Sequence, residues 1–256
     1  MANELELYYQ DYDEEGRLFR DRCHQMEWET TMAYLRQLIP AHSHIYDGCA
    51  GTGNYAFPLA SLGHTVFASD IVPSHVDKMI EKQKTCGKLA AIHQGDMRSV
   101  DQYGDNTFDV VLCMGAFYHL HQEDRKKVLE ESLRILKTYG LLVISYINNA
   151  AVTALKLAGG LDNIAEITAG YKKQTFDDIF LHTTPEEMVE MVSHYPVKII
   201  KHIRTEGLAY LYGDKFNEAS EQQFKEYMEL HLSSCEEPSM LGAGIHGLMI
   251  LKKSAD

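Results

Sequence analysis

The sequence has few cysteines and shows no pairing pattern among them. Five cysteines occur in 256 residues, an odd number, scattered and without a C-x-x-C pair. This pattern argues against a disulfide framework and against a zinc ribbon, and it favours a reducing compartment. We therefore expect a cytoplasmic protein. The five residues are Cys23, Cys49, Cys86, Cys113 and Cys235.

Basic residues are scarce relative to acidic ones. The chain has 24 Lys and Arg against 37 Asp and Glu, which gives a formal net charge of −13. A protein that binds nucleic acid normally presents a basic face, because neutralising phosphates drives that binding. The composition therefore argues against a nucleic-acid partner, although a local basic patch would still be compatible with it.

Long hydrophobic runs are absent as well. The N-terminal stretch "MANELELYYQDYDEEG" is acidic and has no apolar core, so no signal peptide is predicted. No apolar run approaches the length of a membrane span, so no membrane partner is expected. Hydrophobic residues at 45% and charged residues at 24% are typical of a globular protein. The length suits one large domain, with room for inserts.

Apolar segments that predict strands alternate with segments that predict helices. Strands that are apolar along their whole length and separated by helices indicate a parallel sheet covered on both faces. We therefore predict an α/β fold with a doubly wound sheet. The predicted strands are "HIYD", "TVFASD", "LAAIHQGD", "FDVVLCMG", "GLLVISYI", "VKIIKHI" and "GIHGLMILKK". The predicted helices between them include "GNYAFPLASLG", "PSHVDKMIEKQKTCG" and residues 122–137.

Helical segments without strands precede the alternating region and interrupt its end. Apolar residues at three- and four-residue spacing predict one or two helices over residues 14–39. In "TTPEEMVEMVSHYP", Thr184 and Glu187 form a capping-box pattern and Pro185 lies in the first turn. We predict an N-terminal helical segment over residues 1–39 and a main domain over residues 40–256. The main domain carries helical inserts at about 150–180 and 207–240.

A glycine-rich turn follows the first predicted strand. Gly48, Gly51 and Gly53 come directly after Asp47, and Asp70 ends the second strand 17 residues beyond Gly53. Glycines let backbone N–H groups approach a ligand closely, and a carboxylate such as Asp70 can accept both ribose hydroxyls. The spacing is G-x-x-G-x-G, not the G-x-G-x-x-G of dinucleotide sites. An acid beside the turn would repel a pyrophosphate and favour a ligand with ammonium and sulfonium charges. The alternative is a purely structural turn.

These features together resemble the class I S-adenosylmethionine-dependent methyltransferases, whose first motif is D-x-G-x-G-x-G. Cys49 stands where the first glycine of that motif usually lies. "GDM" (95–97) and "FDVVLCMGAFYHL" (108–120) are similar to later motifs of the family, and the resemblance covers about residues 40–150. It implies a mostly parallel seven-stranded sheet with an antiparallel last strand, and S-adenosylmethionine (SAM) as cofactor. The turn and the resemblance give these candidate cofactor-binding residues: Asp47, Gly48, Cys49, Ala50, Gly51, Gly53, Asp70, Ile71, Asp96, Met97 and Met114.

The resemblance also suggests individual roles. It implies that Asp96 meets the adenine amino group, although an acid in that position also serves as a turn-former or helix cap. His119 and Tyr118 follow the fourth strand at the edge of the expected pocket. We treat His119 as a candidate general base and Tyr118 as a candidate substrate contact. The histidine pairs at 42/44 and 119/121 lack a third convergent ligand, so no metal site is predicted.

The N-terminal stretch "YYQDYDEEGRLFRDR" combines tyrosines with arginines. It is consistent with an amphipathic helix that packs on the sheet, and equally with a lid over the cofactor.

The expected function is methyl transfer from SAM to a small-molecule acceptor by in-line displacement. The acidic charge favours a small molecule. So does "MGAF" at the fourth strand, where relatives that methylate base amino groups show Asp/Asn-Pro-Pro-Tyr. A tRNA- or RNA-modifying methyltransferase and a non-catalytic SAM-binding protein are the alternatives. The acceptor atom stays open, as does the choice between monomer and dimer.

Overall fold

A seven-stranded sheet with the order β3-β2-β1-β4-β5-β7-β6 forms the centre of the molecule. The computed structural model describes residues 2–10 and 12–255. Strands β1 to β5 are parallel, and β7 lies between β5 and β6 and runs antiparallel to both. The fold class expected from the sequence is confirmed. The strands are β1 (His44–Asp47), β2 (Thr65–Asp70), β3 (Ala91–Gln94), β4 (Phe108–Cys113), β5 (Leu136–Ile147), β6 (Val197–Arg204) and β7 (His246–Lys253).

Helices precede the sheet, connect its strands and follow β5. The α-helices are α1 (Ala2–Gln10), α2 (Arg22–Leu38), α3 (Ala56–Ser61), α4 (Pro73–Cys86), α5 (Gln122–Ile135), α6 (Asn149–Ala158), α7 (Ile164–Lys173), α8 (Pro185–Ser193), α9 (Ala209–Tyr212), α10 (Asp214–Asn217) and α11 (Glu221–Ser234). Short 3-10 helices span Arg17–Phe19, Phe117–His119 and Pro238–Ala243. The capping box at the start of α8 forms as the sequence predicts. Within the described residues, no helix is both long enough and apolar enough to cross a membrane.

Alternation along the strands divides the apolar side chains between two cores. Val110 and Leu112 of β4 belong to the core that packs against α2, α3 and α4. Val111 and Cys113 of the same strand belong to the core that packs against α5 and α8. Successive side chains of a strand point to opposite faces, so β4 is apolar on both faces from Val110 to Cys113. This explains the continuous apolar run that predicted it.

Two boundaries differ from the sequence-based expectation, and both differences arise from backbone geometry. Helix α3 begins at Ala56 and not at Gly53, because Gly51 and Gly53 have φ angles of +54° and +86° that no α-helix contains. Strand β5 begins at Leu136, inside the stretch expected to end a helix, because Leu136 already pairs with Phe108 of β4. The carboxyl ends of β1, β2, β4 and β5 all meet at one edge of the sheet, where α/β folds bind ligands.

Candidate functional site

A cavity opens at this edge, between the glycine turn, the strand ends and the N-terminal segment. It encloses about 940 Å³ of empty space, part of it open to solvent. We call it the cofactor cavity. All but two of the residues proposed from the sequence line it, the exceptions being Asp47 and Gly53. Its lining consists of Leu5, Tyr9, Glu14, Arg17, Leu18, Gly48, Cys49, Ala50, Gly51, Asn54, Tyr55, Asp70, Ile71, Val72, His75, Gly95, Asp96, Met97, Arg98, Met114, Gly115, Ala116, Tyr118, His119 and Leu120.

The glycine turn is fixed to its neighbouring strands by backbone hydrogen bonds. The N–H of Gly48 donates to Leu112 at 3.0 Å, and the N–H of Ala50 donates to Ser69 at 2.9 Å. A Cβ at position 48 would collide with the side chain of Met97, so the glycine lets the turn approach the segment that follows β3 closely. The turn is therefore a rigid cradle with its backbone open to the cavity.

Gly53 supports this turn from behind, and replacing it by alanine should destabilise the fold. Its φ is +86°, and an added Cβ would lie 2.7 Å from the Phe57 ring. The left-handed backbone alone costs about 1–2 kcal/mol for a residue with a Cβ. We expect Gly53→Ala to lower the free energy of unfolding by at least that amount in urea titrations. Gly242→Ala is the matched control, because position 242 is exposed and has open space for a Cβ. Equal stabilities of the two variants would contradict this account.

Asp70 joins the turn to the start of α4. Its Oδ2 accepts a hydrogen bond from the N–H of Gly51 at 2.8 Å, and its Oδ1 accepts from the N–H of Val72 at 2.9 Å and from His75 Nδ1 at 3.2 Å. A carboxylate offers about four acceptor positions. These three bonds therefore orient the group and leave capacity for a ligand hydroxyl in the cavity. No sequence pattern pointed to His75 at this position.

Asp47 lies behind the turn instead of in the cavity. Its side chain is 1% exposed, and its Oδ2 has no hydrogen-bond partner among residues 2–10 and 12–255. Burial, together with the nearby charge of Asp70, raises the pKa of Asp47 to about 7. The turn is thus backed by a carboxyl that ionises only near neutral pH.

Asp96 is already engaged by an arginine that sequence reasoning missed. The Arg98 Nε donates to both carboxylate oxygens of Asp96, at 3.1 and 3.0 Å, and Nη2 adds a bond of 2.6 Å. Arg98 also bonds Asp124 at 3.0 Å. Asp96 and Arg98 both line the cavity, so a ligand at this end meets a carboxylate held in a fixed orientation.

His119 also lines the cavity and is held in one tautomer. Its Nδ1 lies 2.9 Å from the carbonyl oxygen of Ile179, which can only accept, so Nδ1 carries the proton. Its Nε2, 3.1 Å from the Tyr9 hydroxyl, is then an acceptor. Burial lowers the pKa of His119 below its ordinary value, which keeps the ring neutral. The adjacent Tyr118 also lines the cavity, and burial raises the pKa of its hydroxyl.

The first part of the N-terminal segment covers the cavity and is joined to α2 by a buried ion pair. Arg17 donates two hydrogen bonds to Glu27 of α2, at 2.8 and 2.9 Å, and its Nε lies 3.6 Å from Glu14. Although burial works against ionisation, Arg17 and His246 lower the pKa of Glu27 to about 2. Glu27 and His246 were not among the residues proposed from the sequence, because no local pattern connects them.

A smaller chamber adjoins the cofactor cavity on the side of β5 and β7. We call it the inner chamber. It shares four lining residues with the cofactor cavity, so these side chains form a common wall between the two spaces. Its lining consists of Arg17, Glu27, Thr31, Tyr55, Met114, Tyr118, Ser145, Thr205, His246 and Leu248.

No metal centre is apparent in the part of the chain that the structure describes. None of its His, Cys, Asp and Glu side chains form a group of three or more that could hold a metal ion.

Comparison with known proteins identifies the central part of the chain. Residues 47–144 match a family model described as a methyltransferase domain. The chain is 29% identical over 156 residues to a glycine/sarcosine N-methyltransferase of Parasynechococcus marenigrum, covering 57% of this chain and 54% of that protein. It is 27% identical over 163 residues to a ubiquinone biosynthesis O-methyltransferase of Rickettsia conorii, covering 64% and 52%. The chain thus spans about half the length of these curated relatives.

Solved structures share the fold over the whole chain. A magnesium protoporphyrin IX methyltransferase from Synechocystis, with bound SAH, superposes with a TM-score of 0.65 at 15% identity, covering 99% of this chain and 100% of that one. A possible histamine N-methyltransferase from Thermotoga maritima gives a TM-score of 0.66 at 16% identity, with the same coverage. These likenesses establish the architecture.

Proposed function

Since residues 47–144 form a methyltransferase domain of the class I, S-adenosylmethionine-dependent type, we propose that the protein transfers the methyl group of SAM to a small-molecule acceptor. The curated relatives are named as N- and O-methyltransferases, which supports a small acceptor without choosing its atom. The observation that carries the proposal is the acidic cradle around the glycine turn.

This cradle fits a cationic nucleoside better than a diphosphate. Asp70 lies in front of the turn and Glu14 approaches Gly51 from the N-terminal segment. Asp47 is buried behind the turn, and its Oδ2 has no partner among the described residues. Three carboxyl groups around one turn oppose a pyrophosphate and favour ammonium and sulfonium charges. Gly48 lines the cavity and lets the turn pack closely against Met97, whose side chain a Cβ at position 48 would strike.

We assign the cofactor contacts accordingly. Asp70 would accept hydrogen bonds from the ribose hydroxyls, and Asp96 would accept one from the adenine amino group. The turn residues Gly48, Cys49, Ala50 and Gly51 would contact the methionine part of the cofactor. Ile71 and Met97 would flank the adenine, and Met114 would lie near the transferred methyl group. Asp47 and Gly53 would act from behind the turn, since neither lines the cavity.

His119 is the proposed general base. When bound, SAM supplies a methyl group made electrophilic by its sulfonium centre. The chain positions the acceptor and excludes water, and such positioning can lower the barrier by about 7–11 kcal/mol. An acceptor that loses a proton on methylation needs a base, and neutral His119 offers Nε2 for it. Tyr9, which now donates to Nε2, would shift or relay the proton.

We further propose that the N-terminal segment 1–39 is a lid on the main domain 40–256. Leu5, Tyr9, Glu14, Arg17 and Leu18 all line the cofactor cavity, so a ligand in it lies beneath this segment. Closure of this kind limits the site to small acceptors and excludes water. The inserts at about 150–180 and 207–240 would shape acceptor specificity. We also propose a cytoplasmic location, consistent with five cysteines that are all free.

Calorimetry combined with methyl labelling tests the proposal. We expect heat on titration with SAM and with its product S-adenosylhomocysteine (SAH). We also expect a trideuteromethyl label to pass from SAM to a component of a metabolite extract. Binding without transfer would indicate a non-catalytic SAM-binding protein. Label that passes only to RNA would indicate the RNA-modifying alternative.

The preference for SAM over SAH should rise with pH. In the free protein the pKa of Asp47 is raised to about 7, chiefly by burial and also by Asp70. A positive sulfur at the turn favours the ionised carboxyl, so linkage predicts a gain in relative affinity of up to about tenfold between pH 6 and pH 8. Calorimetry with SAM and with SAH at the two pH values measures the ratio of their affinities. Titration of the amino group that both ligands carry affects both affinities equally, so it cancels in this ratio.

Asp47→Asn provides the control for this effect. It should show a ratio that does not change with pH, while the wild-type ratio rises. The raised pKa of Asp47 also makes the stability of the fold depend on pH. The contribution of protonated Asp47 is fully present below pH 3.8 and is lost as pH rises through about 7. A pH-dependent ratio that persists in Asp47→Asn would assign the effect to another group.

A further inference from the structure

A second concave surface lies behind the segment that carries Tyr118 and His119. It is formed by the start of α5, by residues 173–183 and by α8, and it encloses about 1940 Å³ of empty space, part of it open to solvent. We call it the outer groove. Leu120 belongs to the linings of both the outer groove and the cofactor cavity, so it forms part of a common wall between them. Side chains in the groove wall can therefore reach the backbone that carries the proposed base.

Arg125, in the wall of the outer groove, is a cation in an unfavourable position. It is 8% exposed, and within the described ranges it forms no salt bridge, because the hydrogen bonds that it donates go to backbone carbonyl oxygens. It is also the fourth residue of α5, where the positive end of the helix dipole opposes a cation. Burial lowers the pKa of its guanidinium to about 10, although Glu187 acts in the opposite direction. Buried arginines are normally paired with an acid, so stability alone does not account for this one.

The guanidinium joins two stretches of backbone from different parts of the chain. Its Nε donates to the carbonyl oxygen of Phe117 at 2.7 Å, and its Nη2 donates to that of Leu181 at 3.3 Å. The two stretches also bind each other directly, because the N–H of Leu181 donates to the Tyr118 carbonyl at 2.7 Å. A planar guanidinium presents its donors in fixed directions, which a single ammonium group does not. Arg125 therefore fixes the relative position of the two stretches.

The second of these stretches contains the group that sets the tautomer of His119. The Ile179 carbonyl oxygen, 2.9 Å from Nδ1, can only accept, whereas the Tyr9 hydroxyl at Nε2 can donate or accept. The tautomer therefore depends on the Ile179 carbonyl. Without this contact, Nε2 is free to carry the proton, and it then cannot accept one from a substrate. The position of Ile179 thus decides whether the ring can act as a base.

The loop that presents the Ile179 carbonyl is strained. Asp178, directly before it, has a φ of +62°, a left-handed conformation that is unfavourable for a residue with a Cβ. The N–H of Asp178 donates to the Thr175 hydroxyl at 3.0 Å, and Asp177 accepts from the N–H groups of Ile179 and Phe180 at 3.1 and 2.9 Å. These bonds shape the loop without joining it to the segment that carries His119. A strained loop keeps its conformation only where its surroundings hold it, and the guanidinium is one of the groups that do so.

We propose that Arg125 is a positioning residue for His119. By bonding backbone carbonyls on both stretches, it holds the Ile179 carbonyl against Nδ1 and so keeps the ring in the tautomer that accepts a proton at Nε2. Arg125 lines the outer groove and not the cofactor cavity, so it acts through His119 and not on the ligands directly. The inference rests on the proposed role of His119 in methyl transfer.

The tautomer of His119 gives a test that does not depend on turnover. In NMR spectra of the ring nitrogens, the His119 signals are those that disappear in His119→Gln. Wild type should show a protonated Nδ1 and an unprotonated Nε2, whereas Arg125→Ala and Arg125→Met should show a mixture with the reverse arrangement. The methionine fills the space without donating, so it serves where alanine destabilises the fold. Lys127→Ala, which removes an exposed cation from α5, is the matched control and should resemble wild type. A single, unchanged tautomer in both Arg125 variants would overturn the inference.

Turnover gives the second test. Arg125→Ala should lower kcat by about 10- to 100-fold, because a misplacement of about 1 Å in a catalytic arrangement costs up to about 10²-fold. The SAM Kd should stay within about twofold of wild type. Because the loss acts through His119, Arg125→Ala should lower kcat no further in the His119→Gln background. An equal loss in both backgrounds would assign Arg125 to general stability and overturn the inference.

Free guanidinium provides a rescue that a general loss of stability would not show. The space left in Arg125→Ala faces the outer groove, so guanidinium ions at a non-denaturing concentration should restore part of kcat. Urea at the same concentration is the control, and an equal recovery with urea would overturn the inference. Arg125→Lys keeps the charge but lacks the planar set of donors, so it should stay impaired. Full activity in Arg125→Lys would overturn the inference as well.

Failure of this inference is distinguishable from failure of the proposed function. Normal turnover in His119→Gln would overturn the inference together with the base, while label transfer from SAM by the wild type would still support methyl transfer. Absence of label transfer would refute the proposed function, and the NMR signals of the His119 ring would still show whether Arg125 fixes its tautomer.

Discussion

A His119→Gln variant is expected to lower kcat by about 10²- to 10⁴-fold, the usual contribution of a positioned acid or base. The reason lies in the hydrogen bonds of the ring. The Ile179 carbonyl fixes the proton on Nδ1, and this leaves Nε2 as an acceptor in the cavity. Glutamine fills a similar space but cannot take up a proton. Rates of SAH formation at saturating SAM measure the effect.

The neighbouring His121 offers a matched control for this variant. It lies two residues away and is exposed, so His121→Gln should keep normal turnover. Because burial lowers the pKa of His119, the acidic limb of the wild-type kcat profile should fall below pH 6.5 and should disappear in His119→Gln. Normal turnover in His119→Gln would remove the base from the mechanism, and the proposed transfer would then rest on positioning alone.

An Asp70→Ala variant is expected to weaken SAM binding by at least about a hundredfold. Hydrogen bonds to a charged group contribute about 1.5–3 kcal/mol each, and a ribose presents two hydroxyls. The same substitution also removes the acceptor of the Gly51 and Val72 N–H groups, so the turn itself loses its support. Calorimetric titration with SAM gives the Kd.

Asp70→Asn separates the ligand contact from the support of the turn. It keeps one oxygen, so the loss of affinity should be intermediate while the fold is retained. Asp77→Ala, at an exposed position of α4, is the control for removing a nearby carboxylate. SAM affinity in Asp70→Ala within about threefold of wild type would be incompatible with ribose binding by this residue, since even one such bond exceeds that factor.

Local patterns were sufficient to predict the sheet. β1 and β2 occupy the predicted stretches because each is a short apolar run bounded by a turn, and the sheet needs both faces apolar there. The positions of the glycine turn and of Asp70 were also predictable, since the carboxyl ends of parallel strands meet at one edge of the sheet. The start of β5 at Leu136 could not be predicted from the sequence, because pairing with β4 overrides the helical pattern of that stretch.

Contacts between distant parts of the chain were beyond sequence reasoning. Arg17, Glu27, Glu206 and His246 come together from both ends of the chain, and no spacing rule relates them. The engagement of Asp96 by Arg98 is local but depends on a side-chain conformation. One signal was available: an antiparallel last strand brings its first residue, His246, to the edge where the parallel strands end.

The insertion of β7 between β5 and β6 has a consequence for biosynthesis. Strands β5 and β6 are both translated before β7, the strand that pairs with each of them in the folded sheet. Until then two hydrogen-bonding edges stay open, which exposes the nascent chain to misassembly. His246 and Leu248 belong to β7, so the wall of the inner chamber is incomplete until that strand has been synthesised.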